Sequence, residues 1–206
     1  MTTEGAASPH GGLTPRGEAT RRRLLEAAER LFVELGYAGT SPSDVSADAG
    51  VGRTTFYEYF TDMEDLLAAL VERRLPQVAA EMVGVVPRDV PYRDQLAELA
   101  VRMIEFSVTE HVLGLELHQE MPTLGPATQA RIAVAHRGLS EEFGRIYRSA
   151  VAAGELRALP VDLASVLVRD VIMSAAKALM ATDEPKARLH EVAEAATGFL
   201  LRGLEP

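Results

Sequence analysis

Apolar residues return at three- and four-residue steps through most of the chain. Between residues 16 and 35, Leu24, Ala28, Leu31, Phe32 and Leu35 fall on one face, which predicts an amphipathic helix, and Gly36 stands where a C-terminal cap belongs. Residues 40–67, TSPSDVSADAGVGRTTFYEYFTDMEDLL, compress the same rhythm into two short helices and the start of a third. Ser41, Pro42 and Asp44 supply an N-cap, a first helical residue and the acid of a capping box. Val45 and Ala49 lie four apart, and Gly50 after them can take the left-handed conformation that ends a helix. Phe56 and Phe60, again four apart, are expected to turn inward from a short helix over 53–60, leaving Arg53, Thr54, Thr55 and Tyr57 outside. A helix, a glycine turn and a helix with a donor-rich start make the helix-turn-helix pattern.

The rest of the chain also reads as helix. From Asp62 a fourth helix carries Leu66, Leu67, Leu70 and Val71, and Pro76 predicts a kink or a restart within it. Gly84, Pro87 and Pro91 mark a loop. Helices are then expected over about 92–111, a shorter one to 120, then 126–153, 161–181 and 185–202, with breakers between them. No segment alternates as a strand bounded by hairpin turns. The fold expected is all-α: a flexible tail over 1–15, a three-helix domain with the helix-turn-helix over 16–62, and a larger helical body over 63–206.

Composition narrows the chemistry. A hydrophobic content of 47% in 206 residues supports a substantial core, and the absence of cysteine removes disulfides and thiolate chemistry. No signal peptide or membrane-spanning run is visible, so a cytoplasmic protein is expected. The net charge of −9 argues against nonspecific nucleic-acid binding. Between residues 16 and 60 there are six arginines against seven acids, so any nucleic-acid-facing field must come from placement, with Arg16 and Arg21 to Arg23 clustered at the start of the first helix.

The run AGVGRTTFYEYFTDMEDLL resembles the DNA-binding signature of the TetR family of bacterial transcriptional repressors, through Ala49, Gly50, Val51, Phe56, Tyr57, Tyr59, Phe60 and Leu66. The resemblance implies that the helix beginning at Arg53 enters the major groove. Arg53 could then donate two hydrogen bonds to a guanine, with Thr54 beside it at the groove. Thr55 could meet a thymine methyl or a phosphate, and Tyr57 and Tyr59 could meet phosphates, although Tyr59 could equally pack beside Phe60. Thr40 and Arg21 are implied as phosphate contacts. Three positions depart from the family pattern: Gly52 where a serine cap is frequent, Thr54 for a small residue, and Met63 for a phosphate-binding lysine. With Asp62, Glu64 and Asp65 around it, Met63 implies fewer phosphate contacts than a lysine-bearing relative makes.

The resemblance further implies a repressor that binds a palindromic operator as a homodimer through its last two helices, about 161–202, and is released by a small, largely apolar effector. The first of these helices is apolar on more than one face, through Leu163, Val166, Leu167, Val171, Ile172 and Leu179. Met103, Phe106, His118, Met121, Phe143, Tyr147 and Met173 are the candidates for an effector pocket. Enzymatic chemistry is not expected. His111 and His118, near Glu116 and Glu120, do not make a zinc set, and neither a nucleophile elbow nor a phosphate-cradling loop is present, so no metal or cofactor is implied. The alternative is a helical ligand-binding or protein-interaction module with lost or weak DNA binding, favoured by the acidic balance and Met63.

Overall fold

The computed structural model describes residues 14–206 except His111, so the first thirteen residues of the expected tail lie outside the described region. The chain forms two compact units, Met1–Leu70 and Val71–Pro206, and the division falls inside a helix.

The first unit is built from local signals. Helix α1 (Pro15–Leu35) starts at the last residue of the expected tail, with Thr14 as its N-cap accepting from the Gly17 amide, and it closes at Gly36, where φ is 75°. Helix α2 (Pro42–Asp48) has the full capping box. Ser41 accepts from the Asp44 amide while the Asp44 carboxylate accepts from the Ser41 amide and hydroxyl. Those bonds favour the ionised form and hold the Asp44 carboxyl below the usual carboxylate range. Gly50, at φ 65°, turns the chain into α3 (Arg53–Tyr59). Leu24, Leu25, Ala28, Phe32, Val45, Phe56, Phe60, Leu66 and Leu67 are buried, and Phe56 and Phe60 pack ring to ring at 5.7 Å.

Helix α4 (Met63–Gly84) carries the chain from the first unit into the second. Its start is fixed by Asp62, whose carboxylate accepts from the Asp65 amide at 2.8 Å, while Asp65 accepts from the Thr61 amide. Of the expected kink or restart, the restart does not occur, and the helix runs on through Pro76. The proline removes one donor, the one that would reach the Glu72 carbonyl, and helix continues on both sides.

The second unit holds α5 (Tyr92–Thr109), a π-helical turn (Val112–Glu116), α6 (Leu117–Glu120), a 3-10 turn (Met121–Thr123), α7 (Pro126–Ala135), α8 (Arg137–Ala152), α9 (Val161–Met180) and α10 (Pro185–Gly203). The single helix expected over 126–153 is in fact two, broken at His136. Helix α5 packs against α8, α9 and α10 through a core that includes Leu96, Leu99, Ile104, Ile146, Tyr147, Ile172, Leu179 and Leu200. Tyr147 clasps that core, its hydroxyl donating to the Arg157 carbonyl and accepting from the Leu159 amide, both at 2.9 Å.

Candidate nucleic-acid interface and ligand cavity

Helix α3 sorts its side chains by face. Phe56 is fully buried, while Arg53 and Thr54 are exposed in the first turn, Tyr57 is 49% exposed, and Thr55 and Tyr59 are half-buried. The Tyr57 ring stands edge-on to Phe56 at 5.3 Å, so the aromatic core holds the base of that ring while its outer part remains accessible. Gly52 gives no side-chain cap, and only its carbonyl serves the helix, accepting from the Thr55 amide. The Arg53 and Thr54 side chains at the start of α3 thus stand exposed beside an N-terminus that no side chain caps.

The flanking cations are less free than the sequence implies. Arg21 lies over the Phe60 ring at 5.4 Å, Arg22 faces Glu26 at 3.7 Å, and Arg30 bonds Asp48 at 2.6 Å, tying α1 to α2. Thr40, implied as a phosphate contact, is buried, and its hydroxyl donates to the Gly36 carbonyl at 2.8 Å. Its position in the connection between α1 and α2 uses the hydroxyl as a structural clasp.

Within the second unit lies a cavity of about 590 Å³. Met103, Phe106, His118, Met121, Phe143 and Met173, all candidates from the sequence, line it together. Tyr147 does not. Its ring stacks on Phe143 at 5.8 Å, but the two bonds of its hydroxyl hold it in the core behind the wall. The elements converge closely here: a Cβ on Gly114 of the π-helical turn would fall 2.5 Å from Ser107 Cα on α5. Glycine is thus the residue that lets the turn lie against the helix at the cavity wall.

Apart from His118, the polar part of the lining was not legible in advance. Gln129 fastens its own corner by donating to the carbonyls of Met121 and Leu124. His136 bonds the Ile132 carbonyl through Nδ1 at 2.9 Å, and since a carbonyl only accepts, Nδ1 carries the proton. Burial, and secondarily the charge of Arg169, pushes both His118 and His136 below the ordinary imidazole value. Arg169 completes the set. The break at His136 and the row of α9 that faces the cavity are tertiary facts, so neither residue carries a sequence signal. No cluster of three His, Asp or Glu residues that could hold a metal occurs among the described residues, and His111 lies outside them. No helix among the described residues is long and apolar enough to cross a membrane.

Comparison with known proteins decides what this pairing of an exposed helix face and a cavity belongs to. Residues 24–70 match the model of bacterial regulatory proteins of the tetR family, and residues 89–177 match the tetracyclin repressor-like C-terminal domain. The chain belongs to the TetR family. As a member of this family it is a helix-turn-helix transcriptional regulator and not an enzyme. The TetR-family regulator AcrR of Shigella flexneri is 28% identical over 166 residues, covering 75% of each chain. The regulator YhgD of Bacillus subtilis is 26% identical over 105 residues, and that match spans about half of its length, 54%. Among solved structures, FadR of Bacillus subtilis in complex with stearoyl-CoA shares the fold, with a TM-score of 0.74 at 21% identity over 89% of this chain and 99% of that one.

Proposed function

We propose that this protein is a ligand-responsive TetR-family repressor of the cytoplasm, binding a palindromic operator as a homodimer and released by a small, largely apolar molecule in the cavity of its second unit. The observation that carries this reading is the face of α3, where Arg53 and Thr54 are exposed and unspent while Phe56 anchors the helix from behind. Arg53 reads a base, Thr54, Thr55, Tyr57 and Tyr59 serve the groove and its phosphates, and Arg21 supplies charge from its position over Phe60.

Dimerisation has its own support. On α9 Leu163, Val166 and Leu167 are 45%, 40% and 46% exposed, and on α10 Phe199 is 63% exposed. Leu163, Val166 and Leu167 share one face by their spacing, and an apolar face of this kind is what a second copy would cover. Two copies would present two α3 helices to successive major-groove faces, about 34–36 Å apart. A cavity lined by Met103, Phe106, Phe143 and Met173 suits an apolar effector, and the FadR relative holds stearoyl-CoA.

The test is selection of binding sites from random duplex DNA, followed by titration. A palindromic site should emerge, and Arg53→Ala should weaken its binding by roughly 1–3 kcal/mol, about 5- to 150-fold, with the melting temperature unchanged. Recovery of no preferred site would favour a module without DNA affinity.

A further inference from the structure

The cavity carries a charge balance opposite to that of the chain. The protein has a net charge of −9, yet no Asp, Glu or Lys is among the side chains lining the cavity, and the one permanent charge among the described lining residues is Arg169. Ser165, Arg169 and Met173 follow one another at four-residue steps on α9, and all three line the cavity, so the Arg169 stem lies along the same wall as Met173. The Arg169 side chain is 51% exposed, which places it at the mouth of the cavity and spares it the cost of burying a cation. Among the described residues its ion-pair partner is its chain neighbour Asp170, 3.5 Å away and itself exposed, and a pair of this kind contributes little. The guanidinium fork therefore keeps donors for a second, bidentate partner.

The two histidines leave this charge balance as it is. His136 has its proton on Nδ1, and burial keeps both His136 and His118 toward the neutral form, so neither supplies a negative charge to welcome a cation. A cationic ligand would meet Arg169, offset only by the exposed Asp170 beside it and by no carboxylate among the described lining residues. A neutral ligand could accept a single hydrogen bond from the guanidinium but would gain no charge-assisted, bidentate pair.

We infer that the cavity selects an amphipathic organic monoanion, with its single carboxylate held by Arg169 and its apolar body laid along Met103, Phe106, Phe143 and Met173. The inference rests on the cavity being the effector site, but it concerns the charge of the occupant rather than the response of DNA.

Calorimetry on the full chain at neutral pH, with decanoate, decanol, decylammonium and decanoyl-CoA as probes, tests it. Decanoate should bind about tenfold or more tightly than decanol, with decylammonium weakest. Arg169→Gln should bring decanoate down to the decanol level and leave decanol unchanged, which also shows that the cavity is intact, while Arg169→Lys should keep part of the preference. Equal binding of decanoate and decanol by the wild type, a preference that survives Arg169→Gln, or binding of none of the probes would overturn the inference. Decanoyl-CoA binding far more tightly than decanoate, with the Arg169→Gln loss confined to the thioester, would overturn the carboxylate assignment in favour of the nucleotide phosphates. Failure of the regulator reading would look different: decanoate would bind with the expected preference and leave the selected DNA complex undisturbed.

Discussion

In the first unit the side chains available to a partner stand on the outside of α3, whereas in the second they line a cavity assembled from α4 to α9. The exposed face depends on one buried anchor. Its framework is local: a capping box four residues long, a left-handed Gly50, and two phenylalanines one turn apart. The cavity depends on no such run. Its wall takes Leu75 from α4, Met103 and Phe106 from α5, Gly114 from the π-helical turn, Phe143 from α8 and Met173 from α9. A surface can be specified by neighbours in sequence, but a cavity is specified by what fails to fill the space among distant elements.

The largest expected effect would separate the two regions outright. Phe56→Ala removes a fully buried ring from under α3 and should cost about 3–5 kcal/mol. DNA binding should vanish, while decanoate binding in the second unit should persist in the same sample. Loss of both in calorimetry would mean that the two regions do not fold separately.

Tyr147→Phe gives the next largest change and sharpens the distinction between wall and core. It leaves the ring that stacks on Phe143 but removes the hydroxyl from the Arg157 carbonyl and the Leu159 amide. Stability to denaturant should fall by about 1–3 kcal/mol with ligand affinity unchanged. A large change in ligand affinity would restore Tyr147 to the lining.

The smallest effect is a difference in pH response. His118 and His136 have folded-state values below the ordinary imidazole value, so the unfolded chain takes up protons first on acidification. Stability from these groups is fully present above about pH 6.5 and is lost as pH falls through their folded values. The first unit has no histidine between residues 14 and 70. Its shifted group is Asp44, held low by Ser41, whose contribution is lost only as pH falls below about 3.9. Melting curves between these limits should therefore move for the second unit alone, and His136→Gln should reduce the movement.

The periodic spacing of apolar residues determined that the chain is helical, and residues 40–67 determined the helix-turn-helix, because cap, turn and anchor there lie within a few positions of one another. Six of the pocket candidates were also legible, since flexible or aromatic side chains on inward faces must line whatever space the body leaves. Tertiary structure decided the rest. Thr40 turns its hydroxyl inward to Gly36 through the connection between α1 and α2, and Tyr147 stands behind the cavity wall because the Arg157 carbonyl and the Leu159 amide share its oxygen. Arg169 and His136 came to face one cavity from separate elements. Local spacing sets which face a residue occupies, but only packing sets what that face meets.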